Sequence, residues 1–362
     1  MKQYVVETEL LQQNLRILRE KAGEATVWAV LKGNGYGLGT GAMAKYLASQ
    51  GISHFCVTEI DEAVALRKAG ITNNTVLMLR PITSPTEIRT LLELSVIFSI
   101  SSQDDAIVLN AMAQEQGAVA EAHLKIDVGM GRYGFFPKEV DAMESIYKYM
   151  ESIAISGVYT HFPCGNGKEK VMVAQFEQFR YVLNQLEAKK LAVETAHCCN
   201  SAAFLRFEEM HLSGVRLGSA LLGRVRVKDT GLRPVGYCET KVDELKWLPK
   251  GHGTGYGAAW VAKKPTKIAV LPVGWHHGFT VEFGRDTFRI RDCIRGMASW
   301  CKAMILRKKL FVTINGVKCP VLGHIGMLHT VVDVSAIDCA VGDIATMAIN
   351  PTMVRGMEVV FR

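Results

Sequence analysis

Lys32 is the residue of this sequence best suited by type and setting to act as a nucleophile. It follows an apolar run, 26–31 (TVWAVL), and opens a glycine-rich stretch in VLKGNGYGLG. A lysine at a buried strand end costs stability unless it is used, and burial lowers its pKa from about 10.4. The neutral amine can form a Schiff base with an aldehyde cofactor, and glycines let the backbone approach a ligand. From this segment alone, a lysine that reaches solvent beside a turn is an equal alternative.

Other polar side chains follow later apolar runs in the same way. They are Lys125 and Arg132 around the fifth run, His161 after the sixth, Asn200 and Ser201 after the seventh, and Arg216 ending the eighth. A barrel of parallel strands collects its reactive groups at the carboxyl ends of the strands. Because these residues come from independent segments, together they predict one site. A satisfied core histidine for His161 and a turn residue for Asn200 are the structural alternatives.

Eight apolar runs alternate with amphipathic stretches in the first part of the chain. The runs are 26–31, 53–58, 75–79, 96–100, 121–127, 153–159, 193–198 and 213–217. Strands buried on both faces are expected as continuous apolar runs, and most of these fit. Eight strand–helix units close into a (β/α)8 barrel, so the sequence predicts an α/β protein that begins with a TIM barrel.

The pattern changes after about residue 230 to short strand-like runs. They are 236–242, 267–273, 286–291, 310–314, 317–322 and 331–334. Asn315 and Gly316 separate two of these runs, which is a strong signal for a two-residue hairpin. We therefore predict two domains, a barrel at 1–228 and a mostly β C-terminal domain at 229–362.

Composition indicates a globular enzyme. The 362 residues are 49% hydrophobic and 21% charged, and no apolar run approaches the roughly 18 residues of a membrane span. Acidic residues near the N-terminus do not fit a signal peptide, so we expect a cytoplasmic protein. Nine cysteines without ligand spacing predict reduced thiols and no metal site. The local clustering of basic residues is weak evidence for nucleic acid, and no nucleic-acid partner is predicted.

Nine motifs together resemble the alanine racemase family. They are VLKGNGYG (30–37), KIDVGMGRYGF (125–135), HFP (161–163), NSAA (200–203), RLGSALLG (216–223), GYGAAW (255–260), VLPVGW (270–275), GHIGM (323–327) and VGDIATM (341–347). They follow the family's order and spacing from residue 4 to about 348. The resemblance implies a racemase that uses pyridoxal 5'-phosphate (PLP) on a small amino acid, alanine first and serine next.

The resemblance also implies roles for the residues at the predicted barrel mouth. Lys32 would hold PLP covalently, and its phosphate would be bound by Tyr36, Ser201 and the backbone near Gly218 and Ser219. Arg216 would contact the pyridine nitrogen, with His161 holding Arg216 in place and Asn200 near the cofactor. Because arginine keeps its proton, the ring would be a weaker electron sink, which favours returning the α-proton over transamination.

Four further residues complete the implied site. A racemase needs a proton acceptor on each face of the substrate carbon, and the resemblance assigns these roles to Lys32 and Tyr256. Tyr256 would reach the active site of the partner subunit in a homodimer with shared sites. Arg132 would contact the cofactor's phenolic oxygen and the substrate, and the Met327 backbone amide would bind the substrate carboxylate. Lys125 matches a lysine that the family can carbamylate.

The sequence departs from the family at four places. His276 and His277 stand in VGWHHGF where an aspartate is usual, and we expect a surface or entrance loop there. Gly326, Leu328 and His329 replace residues near the substrate entrance, so a larger substrate is an alternative. The C-terminus has no clear counterpart to a phosphate-binding tyrosine. A decarboxylase of basic amino acids and a non-catalytic PLP-binding protein are the competing functions.

The fourth departure is an apparent insertion at 287–309. Most of its charged residues are basic: Arg289, Arg291, Arg295, Lys302, Arg307, Lys308 and Lys309 accompany one acid, Asp292. The segment fits a basic amphipathic helix at the mouth, a subunit contact or a membrane-surface contact. A solvated helix whose apolar positions are packed is the interpretation we favour.

Overall fold

The chain folds into two compact units. The computed structural model describes residues 1–163, 165, 167–282, 290–306 and 309–362. The barrel unit is Thr8–Val235, and the β unit combines Met1–Glu7 with Gly236–Arg362. This division differs from the predicted boundary between residues 228 and 229. The first strand, β1 (Lys2–Val6), belongs to the β unit because it pairs with two strands from the C-terminal part of the chain.

Eight parallel strands form the sheet of the barrel unit. They are β2 (Thr26–Val30), β3 (His54–Val57), β4 (Thr75–Met78), β5 (Phe98–Ile100), β6 (Ala120–Ile126), β7 (Ile153–Thr160), β8 (Thr195–His197) and β9 (Gly214–Leu217). Their order is β4-β3-β2-β9-β8-β7-β6-β5. A parallel bridge between Leu77 and Ile97 joins the two edge strands. Each predicted run overlaps one strand, so the predicted (β/α)8 barrel is confirmed.

The helices described in the barrel unit lie before, between and after these strands. They are α1 (Thr8–Ala22), α2 (Lys32–Tyr36), α3 (Thr40–Ser49), α4 (Ile60–Lys68), α5 (Pro85–Glu93), α6 (Gln103–Glu115), α7 (Val140–Tyr149), α8 (Glu169–Ala188) and α9 (Ser201–Arg206), with a 3-10 turn at Glu208–Met210. In α1, Leu11, Leu15, Leu18 and Ala22 are buried at spacings of three and four. This spacing puts one apolar stripe of the helix against the protein.

The interior of the barrel holds aromatic and histidine rings where aliphatic side chains are usual. The His197 ring stacks between Trp28, at 5.5 Å between centroids, and Tyr159, at 5.0 Å. His123 Nδ1 lies 3.0 Å from His197 Nε2. These rings fill the space below the carboxyl ends of the strands and support the residues above them.

Ten further strands form the rest of the β unit. They are β10 (Tyr237–Lys241), β11 (Glu244–Leu248), β12 (Gly253–Thr254), β13 (Trp260–Val261), β14 (Thr266–Leu271), β15 (Phe311–Ile314), β16 (Val317–Pro320), β17 (Thr330–Asp333), β18 (Ile344–Met347) and β19 (Glu358–Phe361). The sheets have the orders β16-β15-β18-β10-β1-β19, β11-β14-β17 and β12-β13. Asn315 and Gly316 both have positive φ in the β15–β16 hairpin, as a two-residue turn requires.

The β unit also contains one long helix, α10 (Ile290–Ile305), and 3-10 turns at Tyr256–Ala258, Trp275–His277 and Pro351–Met353. The predicted strand at 286–291 is wrong for Ile290 and Arg291, which are helical. Its other residues, 286–289, lie outside the described residues. Of the helices in the described ranges, none has the length and apolar character to cross a bilayer.

Candidate functional site

Lys32 and Tyr36 are positioned by a left-handed turn directly after β2. Gly33, Asn34, Gly35 and Tyr36 have φ values of 63°, 54°, 63° and 56°. Glycine adopts this conformation without strain and asparagine tolerates it, whereas tyrosine does so at a cost. Lys32 and Tyr36 both line a cavity of about 500 Å³ in the barrel unit, which we call the barrel cavity. The glycines are thus needed to bring the amine and the phenol to one place.

Glu62 holds this turn and was missed by the sequence analysis. Its buried carboxylate accepts hydrogen bonds from the Asn34 amide, at 3.0 Å, and from the Thr58 amide, at 2.9 Å. It also accepts from the Glu59 amide at the start of α4, completing a capping box. A glutamate three residues after a helix N-cap is a sequence signature of that box, so the local role of Glu62 was predictable. Its contact with the Asn34 turn was not.

The environment of Lys32 lowers the pKa of its amine. Partial burial lowers the pKa of Lys32, and the positive charge of Arg132 lowers it further, while the Glu62 carboxylate acts in the opposite direction. The side chain is still accessible to solvent because the cavity that it lines is open. A reachable amine with a lowered pKa is suited to nucleophilic attack and proton transfer.

Arg216 is buried at the end of β9 and is held mainly by His197. Its guanidinium donates to His197 Nδ1 at 2.7 Å and to the Thr160 carbonyl at 2.6 Å. His161 Nδ1 is a more distant neighbour at 3.5 Å. Sequence analysis expected His161 to position Arg216 and missed His197, because His197 lies within a run that was interpreted only as a strand. Successive side chains of a strand point to opposite faces, and this alternation along β8 directs His197 inward. That pattern was the available signal.

The proton arrangement of this network follows from arginine being a donor only. Because Arg216 donates to His197 Nδ1, that nitrogen must be unprotonated, and His197 Nε2 then donates to His123 Nδ1. Burial, and then the charge of Arg216, lower the pKa of His123 and His161 to about 3 and that of His197 well below its ordinary value. All three rings are neutral at neutral pH, and the described residues place no carboxylate in an ion pair with Arg216.

Ser201 and Gly218 form a tight corner of the barrel cavity, and Ser219 lines the same wall. Ser201 Oγ accepts hydrogen bonds from the amides of Gly218 and Ala220, both at 3.2 Å. A Cβ atom at position 218 would collide with the Tyr36 hydroxyl. A side chain is therefore excluded at residue 218, and the Tyr36 phenol lies directly against the backbone.

Asn200 lines the same cavity and caps α9. Its Oδ1 accepts from the amides of Ala202 and Ala203, both at 3.1 Å, and its Nδ2 donates to the Phe162 carbonyl at 3.0 Å. Both polar atoms of the Asn200 side chain are therefore hydrogen-bonded within the fold. These contacts are the ones expected of a turn residue, which was the structural alternative for Asn200.

Lys125 and Arg132 line a second cavity, of about 310 Å³, together with Lys32, His161 and Arg216. The Lys125 amine donates to the Leu79 carbonyl at 2.9 Å. Burial, followed by the charges of Arg216 and Arg132, lowers the pKa of Lys125 to about 7. A substantial fraction of this amine is therefore neutral near physiological pH.

Asp127 shapes the turn that leads to Arg132, and the sequence analysis did not single it out. Its carboxylate accepts from the amides of Gly129, Met130 and Gly131 at 2.8, 2.7 and 2.8 Å. An aspartate that precedes glycines commonly bonds to the backbone a few residues on. The DVGMGR segment contained this signal.

Tyr256 and Met327 lie in the β unit, on a cavity of about 520 Å³ that we call the β cavity. His324, Gly326, Leu328 and His329 line it as well. The Tyr256 side chain is 82% exposed and that of Met327 is 50% exposed. The residues that depart from the family at 326, 328 and 329 thus surround the predicted catalytic tyrosine within its own unit.

The histidine pair of the β unit is divided between surface and core. His276 is exposed, as expected for a surface loop, but His277 is buried and the expectation was wrong for it. His277 Nδ1 accepts from the Gly274 amide at 3.1 Å, so its ring closes the turn. Within the described ranges, no group of three or more His, Cys, Asp or Glu side chains could hold a metal ion.

Family models and known proteins match nearly the whole chain. The model "Alanine racemase, N-terminal domain" matches residues 6–225, and "Alanine racemase, C-terminal domain" matches residues 235–356. An alanine racemase of Methylacidiphilum infernorum is 33% identical over 350 residues, which cover 94% of this chain and 82% of that protein. One of Carboxydothermus hydrogenoformans is 32% identical over 280 residues, covering 76% and 75%. The solved alanine racemase of Clostridium difficile 630 is similar with a TM-score of 0.86 and 25% identity, covering 100% of this chain and 95% of that one.

Proposed function

The chain belongs to the alanine racemase family, and from this premise we propose that it interconverts the L and D enantiomers of alanine with PLP as its cofactor. Serine or another small amino acid is the next substrate in order of preference. The observation that supports the proposal most is the barrel cavity, which gathers Lys32, Tyr36, Ser201 and Arg216 from four different segments. The proposal includes action in the cytoplasm, where the free thiols of the eight described cysteines would persist.

The residues of the barrel cavity fit PLP. The cavity volume of about 500 Å³ lies in the usual range for small-ligand sites. The lowered pKa of Lys32 suits an amine that reacts with an aldehyde, and Arg216 supplies buried positive charge. The absence of a Cβ at Gly218 leaves backbone and Tyr36 hydroxyl side by side, as an anion-binding corner needs. Bound PLP would supply an aldehyde and a ring that withdraws the electrons left when a substrate loses its α-proton.

We assign the cofactor contacts to residues that line the barrel cavity or the second cavity, which contains Arg132. Lys32 would hold PLP through its amine, while Tyr36, Ser201, Gly218 and Ser219 would bind the phosphate. The pKa of Tyr36 is raised to about 12 by burial, so its hydroxyl keeps its proton and can donate. Arg216 would contact the ring nitrogen of PLP, and His161 and Asn200 would lie beside Arg216 near the cofactor. Arg132 would contact the phenolic oxygen and the substrate.

Two bases would exchange the α-proton. The Lys32 amine, whose pKa is lowered mainly by burial, would act on one face of the substrate carbon, and the Tyr256 phenol would act on the other. The proposal includes a homodimer in which Tyr256 of the partner subunit completes each site. The high exposure of Tyr256 supports this, because the side chain is not used for packing in its own unit. The Met327 amide, on the same cavity as Tyr256, would bind the substrate carboxylate.

Carbamylation of Lys125 is part of the proposal. Only a neutral amine combines with CO2, and a pKa of about 7 makes that form available. The product would be an anion beside Arg132 and would orient that side chain. Carbon-13 NMR in labelled bicarbonate would detect it, and its loss in Lys125→Met would assign the signal.

The test is to incubate the purified protein and PLP with a panel of L-amino acids and to separate enantiomers by chiral chromatography. We expect D-alanine to form fastest. The same reactions in heavy water should incorporate deuterium at the α-carbon. Release of CO2 without a D-amino acid would indicate a decarboxylase, faster turnover of a larger amino acid would revise the substrate, and absence of exchange would leave a non-catalytic PLP-binding protein.

A further inference from the structure

Helix α10 exposes its apolar side chains to solvent. Six of them are between 60% and 79% exposed, namely Ile290, Ile294, Met297, Trp300, Met304 and Ile305. With 3.6 residues per turn, these positions fall within an arc of about 140° on one side of the helix. The favoured interpretation, in which the apolar positions are packed, was therefore wrong for this chain.

The opposite side of α10 is the side with lower exposure. Asp292, Gly296 and Ala303 are the half-buried positions of the helix, and the spacing of four and seven residues puts them on one face. A helix on the surface of a globular unit normally directs its apolar stripe inward and its polar side outward. In α10 this arrangement is reversed, so the apolar face is available to something outside the chain.

Positive charge borders the apolar face. Arg291, Arg295 and Lys302 follow one another around the helix along one edge of the apolar arc. Before and after the helix the sequence adds Arg289, Arg307, Lys308 and Lys309, and Asp292 is the one acid between 289 and 309. Asp292 lies on the less exposed side, where it pairs with Arg295 at 3.2 Å. The outward side of the helix is therefore both apolar and cationic.

We propose that α10 is a membrane-docking helix that lies on the surface of a bilayer containing anionic lipids. Helices that bind in this way combine an apolar face, basic residues at its border and aromatic side chains near the interface. The apolar arc and the basic edge of α10 provide the first two features, and Trp300, at the other edge of the arc, provides the third. Its 16 residues span about 24 Å, which suits a helix parallel to the surface.

A second copy of the chain is a poorer match for this face. A pair of such faces would bring two sets of basic residues together, and the repulsion between like charges opposes that contact. An anionic lipid surface matches both the apolar arc and the basic residues along its edge. The proposal is independent of the reaction in the barrel unit.

Flotation of the full-length protein with unilamellar vesicles tests the proposal. We expect binding to vesicles of phosphatidylcholine mixed with phosphatidylglycerol, little binding to phosphatidylcholine alone, and weaker binding as sodium chloride is raised. Met297→Glu places a charge near the centre of the arc and should lower the partition coefficient by about tenfold or more. Val119→Glu is the matched control, since Val119 is also exposed but lies in the barrel unit.

Charge is tested separately with Arg291→Glu, for which Lys264→Glu at an exposed position of the β unit is the control. We expect only the first to weaken binding. Equal binding to both vesicle types, no binding to either, or full binding by Met297→Glu would overturn the proposal. A change in oligomeric state with Met297→Glu, measured by light scattering without vesicle binding, would instead assign the face to contacts between copies.

Discussion

The barrel cavity and the β cavity differ in how firmly their polar residues are held. In the barrel cavity, Arg216, Asn200 and Ser201 each have hydrogen-bond partners within the fold, and Arg216 is buried. In the β cavity, Tyr256 is 82% exposed. A preorganised site pays the cost of ordering its groups before a ligand arrives. This difference fits the proposal that the barrel cavity holds the cofactor and that the β cavity presents Tyr256 to a partner subunit.

Positive charge lies close to the amines and the His161 ring that line the barrel cavity and the second cavity. Burial and the charge of Arg216 or Arg132 lower the pKa of Lys32, Lys125 and His161 in the barrel unit. Arg216 stays charged among neutral histidines, so the region attracts anions such as a phosphate or a carboxylate. Chemistry at the barrel mouth thus depends on neighbours that are far apart in sequence. Four predictions test the proposed difference between the barrel cavity and the β cavity.

The largest effect is expected for Lys32→Ala. Loss of the amine removes both the attachment of PLP and one base, so racemization should fall by at least about 10³-fold. The absorbance of bound PLP should disappear after gel filtration. Lys45→Ala, at an exposed position of α3, should keep both properties. Retained activity in Lys32→Ala would refute the assignment of this amine.

Tyr256→Phe should separate the two cavities. We expect PLP retention to be unchanged and racemization to fall by about 10²- to 10³-fold, because only a proton acceptor is lost. The midpoint of urea unfolding should stay the same, since the side chain is exposed. Tyr149→Phe is the control, at a tyrosine of similar exposure in the barrel unit. Weakened PLP binding in Tyr256→Phe would contradict the division of roles.

Tyr36→Phe should affect the cofactor and not the proton transfer. Because the half-buried Tyr36 hydroxyl is proposed to donate to the phosphate, its removal should weaken PLP binding roughly tenfold to a hundredfold. Activity at saturating PLP should largely return. Equilibrium dialysis with PLP measures the change, and Tyr181→Phe, at an exposed position on α8, is the comparison. An unchanged dissociation constant would remove Tyr36 from the phosphate site.

The smallest effect concerns the pH dependence of stability in the barrel. The pKa of His123 falls from its ordinary 6.5 to about 3 on folding, so between these values the unfolded chain binds more protons. Above pH 6.5 His123 is neutral in both states and does not alter the free energy of unfolding, which then falls by about 1.4 kcal/mol per pH unit as the pH drops toward 3. His123→Gln should make this loss less steep.

Urea unfolding between pH 7 and pH 4 measures the slope of that loss. His252→Gln, at an exposed position of the β unit, should leave the slope as it is in the unchanged protein. An identical slope in His123→Gln would show that His123 does not remain neutral in the folded chain.

Local patterns in the sequence determined the barrel strands, the Asn315-Gly316 hairpin and the polar residues that end the strands. Apolar runs, turn residues and strand-end positions depend on neighbours in the chain, so a single sequence contains their signal. The same holds for Glu62 as a capping residue and for Asp127 as a turn residue, although the sequence analysis did not use these signals. The roles of Lys32 and Tyr256 were inferred from resemblance and stay proposals.

Only the tertiary structure decided which distant residues meet. It brought β1 into the sheet of the C-terminal part, made His197 the main partner of Arg216, and turned the apolar face of α10 outward. Each of these depends on long-range pairing, on which face of an element is turned toward the protein, or on burial at a particular depth. Periodicity shows that a helix has an apolar face, but the packing of the whole unit decides where that face points.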